Sequence, residues 1–156
     1  MKINLEKANI SDAKTIFDMQ VKAFTPLLEK YKDYDISPAN ENIYITLARI
    51  NNHDGGYFKI LVNNILVGAI CILWRNKTQF WISPMFISPE YQGKGIAQKT
   101  ISLVKAMFPE ATSWELATLL EEKRNCYLYE KMGFIQTGIS QKINSRTTLV
   151  YYKLEC

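Results

Sequence analysis

One stretch of the sequence decides the fold: Gln79-Phe80-Trp81-Ile82-Ser83-Pro84-Met85-Phe86-Ile87-Ser88-Pro89-Glu90-Tyr91-Gln92-Gly93-Lys94-Gly95-Ile96-Ala97. Its apolar part predicts a β-strand from Gln79 to Ile87, followed by a proline-bearing turn, a glycine-rich loop and a helix that begins at once. A strand that delivers glycines to a helix N-terminus brings free backbone N–H groups to the positive end of the helix dipole. Such a loop is suited to bind phosphate oxygens.

Three phosphate-binding motifs compete for this loop, and their spacing separates them. A Walker loop requires Gly-x-x-x-x-Gly-Lys-Ser/Thr, which the sequence lacks. A dinucleotide fingerprint requires Gly-x-Gly-x-x-Gly/Ala, but Gln98 stands where its third small residue belongs. Glu115 lies about 20 residues on, as a ribose-binding acid would, yet too little chain follows for a run of parallel βαβ units. The pattern Gln/Arg-x-x-Gly-x-Gly/Ala is satisfied by residues 92–97.

The remaining hydrophobic pattern predicts one α+β domain over residues 1–156, with a mixed, mostly antiparallel sheet flanked by helices in three layers. The predicted strands are Ile3–Lys7, Tyr57–Val62, Leu66–Trp74, Gln79–Ile87, Trp114–Thr118, Phe134–Ile143 and Thr147–Leu154. Asn63-Asn64 predicts a tight hairpin, because asparagine tolerates a positive φ.

The helices are predicted from caps and breakers. The first is capped at Ser11-Asp12 and is expected to end near residue 24, because Pro26 breaks its pattern. A second begins at Leu27, and a third is expected to be capped by Asn40. Further helices run from Ile96 to Phe108 and from Glu121-Glu122 to Gly133, which suits a left-handed C-terminal cap.

Composition excludes several classes of protein. With 47% hydrophobic and 22% charged residues the chain is an ordinary globular domain. No apolar run is long enough for a membrane span or a signal peptide, so we expect a cytoplasmic protein without a membrane partner. The net charge of +4 comes from scattered lysines, which argues against a nucleic-acid partner. Three cysteines and one histidine without ligand spacing predict reduced thiols and no metal site. The sequence leaves a homodimer possible as an assembly.

Two segments carry a resemblance to a known family. They are the loop Gln92–Ala97 with its flanking strand and helix, and Arg124-Asn125-Cys126-Tyr127-Leu128-Tyr129-Glu130-Lys131-Met132-Gly133-Phe134. Together, in this order, they resemble the GNAT family of acetyl-CoA-dependent N-acyltransferases. The resemblance implies the GNAT fold, acetyl-CoA as cosubstrate and direct transfer of an acetyl group to a primary amine. Two alternatives are a non-catalytic acyl-CoA-binding or regulatory module on the same fold, and a nucleotide-dependent oxidoreductase that would rest on the glycine pair alone.

The resemblance also implies where coenzyme A would bind. Its pyrophosphate would lie on the loop amides, and its pantetheine arm would lie beside the central strand like an added strand. The residues so implied are Met85, Phe86, Ile87, Gln92, Gly93, Lys94, Gly95, Ile96, Ala97 and Asn125. A plain strand-to-helix turn remains the alternative for the loop. Pro84 is expected either at a bulge that separates this strand from Trp114–Thr118 or at the end of the strand.

Catalytic residues are implied by the second segment. Tyr129 is expected to give a proton to the leaving thiolate, unless it is a core tyrosine, whereas Tyr127 on the other side of the helix is expected to pack. Many relatives carry a glutamate on the central strand as base, and an asparagine three residues before a small residue in this helix. Here the strand has no acid, so Glu115 on the next strand is the candidate base or an exposed carboxylate, and the helix has Glu122 and then Asn125.

The acceptor side is the least determined part of the sequence. Tyr31, Tyr34 and Trp81 are the candidate acceptor-binding residues, because aromatic faces attract cationic amines. The alternative is a solvated helix end for the tyrosines and a core position for Trp81. Cys126 is expected to be a buried structural cysteine rather than a nucleophile, which favours direct transfer.

Overall fold

A computed structural model describes all residues from 1 to 156, and its centre is a seven-stranded sheet. The strands are β1 (Ile3–Lys7), β2 (Gly55–Val62), β3 (Ile65–Trp74), β4 (Gln79–Ile87), β5 (Ser113–Leu119), β6 (Ile135–Asn144) and β7 (Thr147–Glu155). Their order across the sheet is β1-β2-β3-β4-β5-β7-β6. Only β4 and β5 are parallel neighbours, so the predicted mixed and mostly antiparallel sheet is confirmed.

Helices cover both faces of the sheet. They are α1 (Ala13–Tyr31), α2 (Ile43–Ile50), α3 (Ile96–Met107) and α4 (Lys123–Lys131). On one face α1 and α2 enclose a small core around Tyr57 and Phe86. On the other face α3 and α4 enclose the larger core, around Trp114 and Tyr152. The three-layer α+β prediction is therefore confirmed, and none of the helices combines the length and apolar character that a membrane span requires.

The first helix differs from its prediction. The expected break at Pro26 is wrong, because α1 continues without interruption to Tyr31. Proline removes one N–H from the helix ladder, a loss that packing can offset: Phe24 packs edge-on against Phe86, with ring centroids 6.2 Å apart. The third predicted helix is shifted too, because Asn42 rather than Asn40 caps it, by accepting a hydrogen bond from the Tyr44 N–H at 3.0 Å.

The hairpin between β2 and β3 follows its prediction. Asn63 and Asn64 both have a positive φ, 50° and 67°, as a two-residue type I′ hairpin turn requires. The strands β2, β3 and β4 form the predicted antiparallel meander.

The central strand separates from its parallel neighbour. β4 pairs with β5 only over Gln79–Trp81, opposite residues 113–115, whereas β5 continues to pair with β7 as far as Leu119. On the β3 side the register shifts so that Ser83 and Pro84 both lie opposite Cys71. Two residues opposite one is a β-bulge, which bends the strand. The predicted bulge at Pro84 is confirmed, and it leaves the C-terminal half of β4 without a strand partner on its β5 side.

Candidate functional site

A cavity of about 380 Å³ lies at the C-terminal end of β4. Its walls come from four parts of the chain: residues 23, 24, 26 and 27 of α1, the end of β4, the loop that leads into α3, and α4 with the turn before it. The cavity therefore collects residues that are far apart in sequence, and both segments of the family resemblance contribute to it.

The loop supplies a row of free backbone donors. The N–H groups from Gly93 to Gln98, called here the amide loop, donate no hydrogen bond within the protein, and the first bond of α3 runs from Lys99 N to Gly95 O at 3.2 Å. Gly95 occupies the N-cap position with φ 78° and offers no side-chain cap. Unpaired N–H groups at a helix N-terminus bind anions. The amide loop therefore offers donors that can bind an anion.

Glycine is required at two positions of this loop. Gly93 and Gly95 have φ values of 76° and 78°, in the left-handed region that other residues enter at a cost. A Cβ on Gly95 would meet no protein atom within 4 Å, and one on Gly93 would lie 3.9 Å from the Arg124 guanidinium. The space in front of both glycines is therefore open to a ligand.

Three side chains near the loop have different roles. Gln92 donates from Nε2 to the Ile87 carbonyl at 2.9 Å, which fixes the turn between β4 and the amide loop. Arg124 at the start of α4 lines the cavity, is exposed and has no carboxylate partner, so its charge is available to an anion. Lys94 instead lies over the Tyr91 ring, 5.6 Å from its centroid, and is not part of the wall.

The end of β4 offers backbone groups to the cavity. Met85, Phe86 and Ile87 line it, and they follow the point where pairing with β5 stops. An unpaired strand edge is a template for an extended ligand that carries amides.

Tyr129 lies in the cavity wall with its ring buried at 9% exposure. The ring packs against Phe134 and Tyr152, at centroid distances of 5.9 and 6.2 Å, while the hydroxyl has no hydrogen-bond partner in the protein. Burial raises the pKa of Tyr129 to about 12, and the nearby Cys126 adds to this rise. The phenol is therefore protonated at any physiological pH. The expectation that Tyr127 packs is wrong, since Tyr127 is 67% exposed.

The turn before α4 brings a carboxylate to the cavity. Glu122 lines the wall together with Asn125, one turn later. Its Oε2 accepts a hydrogen bond from the Tyr31 hydroxyl at 2.6 Å. Tyr31 itself is buried at 5% exposure and is absent from the cavity wall, so it supports Glu122 from behind. Burial is the main cause that raises the pKa of Tyr31, and its hydrogen bond to Glu122 is the second.

The structure places three other predicted site residues outside the cavity. The Glu115 carboxylate is ion-paired with Arg75 at 3.3 Å, because the parallel register puts it beside Trp81. The Arg75 guanidinium also lies over the Trp81 ring, at 5.0 Å from its centroid. Tyr34, in the turn after α1, is 53% exposed.

Sequence reasoning missed several wall residues. Phe24 and Leu27 of α1 were not predicted as wall residues, because the sequence indicated no more than a helical position for each. Arg124 opens the second segment of the family resemblance and Glu122 stands just before that segment, but no role was expected for either residue at the cavity. The sequence signal that could have indicated them is a pair of charged residues, one just before and one at the start of a helix whose later residues carry the family pattern.

Comparison with known proteins gives the family. A profile of the acetyltransferase (GNAT) family matches residues 14–134. The chain belongs to this family. The predicted recognition and the predicted enzyme class, an acyltransferase, are thereby confirmed. None of the curated protein sequences compared with this GNAT chain is a significant match.

Solved structures agree on the fold. The ribosomal-protein-S18-alanine N-acetyltransferase from Escherichia coli is similar at 10% identity with a TM-score of 0.78, covering 99% of this chain and 94% of that one. Spermidine N-acetyltransferase from Vibrio cholerae, in complex with CoA and spermine, has 18% identity and a TM-score of 0.76, with coverages of 98% and 95%. The PaiA N-acetyltransferase from Thermoplasma acidophilum, in complex with coenzyme A, has 15% identity and a TM-score of 0.72, with coverages of 99% and 100%. At these identities the likeness concerns the fold.

Proposed function

We propose that this GNAT protein transfers an acetyl group from acetyl-CoA directly to a primary amine. The observation that carries the proposal is the presence, in one cavity, of the unpaired amide loop and the unpartnered Tyr129 hydroxyl. The amide loop can hold the diphosphate of a nucleotide-like cofactor, and the Tyr129 hydroxyl can donate a proton to a leaving group. The complexes of two relatives with coenzyme A support the choice of cofactor.

Coenzyme A would use the three parts of the cavity in order along its length. Its pyrophosphate would accept hydrogen bonds from the amide loop, with Arg124 adding a positive charge. Its pantetheine amides would bond to the free edge of β4 at residues 85–87, as an added strand does. The thioester would then lie between β4 and α4, where a backbone N–H of Phe86 or Ile87 would stabilise the oxyanion.

The reaction requires a neutral amine to attack the thioester carbon. The C–N bond forms, the carbonyl becomes an oxyanion, and collapse of this intermediate breaks the C–S bond and leaves a thiolate. The pKa of Tyr129, about 12, is above that of a thiol, near 8.5. Tyr129 therefore stabilises the thiolate chiefly as a hydrogen-bond donor, and the proton that ends on sulfur comes from the attacking nitrogen through the phenol.

A second function, a non-catalytic acyl-CoA-binding module on the same fold, is favoured by one observation. β4 carries no carboxylate, and Glu115 on β5 is held in an ion pair with Arg75 outside the cavity. Such a module would bind coenzyme A and release no thiol in the presence of amines.

Ligand-induced thermal stabilisation tests the cofactor. At a concentration of 100 times its dissociation constant, acetyl-CoA should raise the free energy of unfolding by about 2.7 kcal/mol. For a chain of this size that is a rise in Tm of roughly 5 to 10 °C. Free CoA should act similarly and NAD should have no effect. No response to acetyl-CoA or CoA would reject both functions, and a response to NAD alone would favour an oxidoreductase.

Thiol release in the presence of an amine panel then separates enzyme from module. Tyr129→Phe removes the donor and is expected to lower kcat about 100-fold while the Kd for CoA is unchanged. Tyr127→Phe, on the exposed side of the same helix, is the matched control and should match the wild type. Wild-type turnover by the Tyr129 variant would contradict the proposed proton donor.

A further inference from the structure

Glu122 is positioned to bind the acceptor amine, and one of its carboxylate oxygens is free to do so. We propose that its carboxylate binds the ammonium group of the acceptor and takes the proton that must leave before the amine attacks. This inference rests on the proposed acetyl transfer and names the residue that prepares the nucleophile.

The first observation is one of exclusion. Among all the residues that line the cavity, Glu122 is the only aspartate or glutamate. The acid expected from sequence, Glu115, is ion-paired with Arg75 and lies outside the wall. A cationic amine that enters this cavity therefore meets a single negative side chain of the protein.

The second observation is the way in which this carboxylate is held. The Tyr31 hydroxyl donates to Oε2 at 2.6 Å, while Oε1 accepts no hydrogen bond from the protein. Tyr31 is held in turn, because Asn144 donates from Nδ2 to the Tyr31 carbonyl at 2.9 Å. One carboxylate oxygen is thus fixed and the other is free, as a binding site for an ammonium N–H requires.

The third observation concerns the surroundings. Glu122 shares the cavity with the apolar side chains of Phe24 and Leu27. A charge pair beside apolar walls is screened less than one in water, so an ammonium gains more from this carboxylate than from a surface glutamate.

The position of Glu122 relative to Tyr129 fits opposite roles in proton transfer. Glu122 is the residue just before α4 and Tyr129 lies near the end of that helix, and both line the cavity. One group accepts the proton of the incoming amine, and the other donates to the outgoing sulfur.

The proton balance closes with these two groups. Glu122 takes one proton from the ammonium and later releases it to water, and the neutral nitrogen forms the C–N bond. A second proton leaves that nitrogen as the intermediate collapses and reaches the thiolate through Tyr129. The products are an amide, a free thiol and one proton in solution.

A structural role is the competing explanation. Glu122 and Tyr31 join the end of α1 to the start of α4, and such a contact would stabilise the fold without touching a substrate. The variant Glu122→Gln separates the two explanations, because an amide oxygen can still accept the Tyr31 hydrogen bond but binds no ammonium charge and takes no proton.

The matched control is Glu121→Gln. It makes the same change of charge one residue earlier, at a side chain that accepts from the Thr148 N–H at 2.9 Å and is not part of the wall. With the most productive amine of the panel, Glu122→Gln should lower kcat/KM about 100-fold, whereas Glu121→Gln should stay within about twofold of the wild type. Both variants should keep the wild-type Tm and Kd for CoA. If the kcat/KM of Glu122→Gln is within about threefold of the wild-type value, the inference is overturned. If the wild type does not bind CoA, the proposed function is overturned.

A second measurement does not depend on turnover. The side-chain carboxyl ¹³C resonances of the CoA-bound protein can be followed while n-butylammonium chloride is added, with sodium chloride at equal ionic strength as control. A saturable shift of the Glu122 resonance, with none at Glu121, is expected. If Glu122 responds no more than Glu121, the inference is rejected even if acetyl transfer is observed.

Discussion

Two polar regions of this molecule treat their hydrogen-bonding groups in opposite ways. Beneath α1 and α2 lies a network of Gln20, Glu41, Arg49 and Tyr57, called here the Gln20 network. Arg49 donates twice to Glu41, at 2.7 and 2.9 Å, Gln20 donates to Glu41 at 2.8 Å, and the Tyr57 hydroxyl donates to Gln20. In the amide loop, by contrast, successive N–H groups have no partner in the protein.

The difference separates a region whose polar groups satisfy one another from a region whose polar groups stay open to water or a ligand. A buried polar group without a partner costs free energy, so the Gln20 network is closed upon itself and joins α1, α2 and β2. The amide loop avoids that cost because it faces an open cavity, where water can satisfy its donors. Stability is expected to reside in the first region and binding in the second.

The largest expected effect is a loss of stability from a change in the Gln20 network. Glu41→Ala would leave the Arg49 charge without its partner in a largely buried position and should lower the free energy of unfolding by about 3 kcal/mol, as measured by urea denaturation. Its affinity for CoA should not change. Asp18→Ala, which removes an exposed ion pair with Lys14, is the control and should cost less than about 0.5 kcal/mol. Equal losses in the two variants would mean that the Gln20 network contributes little.

The next effect is on the open side. Gly95→Ala should cost about 1 kcal/mol of stability because of its φ of 78°, and it should weaken CoA binding about tenfold, since the new methyl group stands where a phosphate would lie. Gly138→Ala is matched closely: φ is 89° and no atom lies within 4 Å of the added Cβ. It lies on β6, outside the cavity, and should lose the same stability without any loss of affinity. Titration calorimetry with CoA measures the affinity of both variants. Equal affinities of Gly95→Ala and Gly138→Ala for CoA would favour a plain strand-to-helix turn.

The smallest effect concerns Asp33, which fits neither region. It is 5% exposed, its Oδ1 is buried without a hydrogen-bond partner, and burial raises the pKa of its carboxyl group. Asp33→Asn removes the buried charge and should raise the free energy of unfolding at pH 7 by about 1 kcal/mol. The exposed Asp35→Asn is the control.

The pH dependence of this gain has a defined sign. The folded-state pKa of Asp33 is raised, so the wild type loses stability as the pH rises from the unfolded value near 3.9 through the folded value. The advantage of Asp33→Asn should therefore be present at pH 7 and shrink as the pH falls toward 4. Urea denaturation at both pH values measures it, and a variant less stable than the wild type at pH 7 would contradict the account.

Features encoded within a few neighbouring residues were predictable from sequence. The amide loop follows from the spacing of its glycines, and the bulge follows from a proline inside a strand. Helix breaking at Pro26 is also a local rule, but there the packing of Phe24 on the distant Phe86 outweighs the lost hydrogen bond.

Features created by the meeting of distant segments were not predictable. Glu115 looked like a candidate base on its strand, but the parallel register brings Arg75 to it. Glu122 gained its place only because the end of α1 meets the turn before α4, which brings Tyr31 to it across 91 residues. Neither local pattern nor residue type contains that information.

The hairpin between β6 and β7 has a consequence for the synthesis of the chain. Asn144 at its tip binds the end of α1 across 113 residues, and Tyr31 at that end holds Glu122. A ribosome delivers α1, the amide loop and α4 before this hairpin, and contacts of such long sequence separation form late. We therefore expect the Glu122 end of the cavity to be assembled last, after the amide loop has formed.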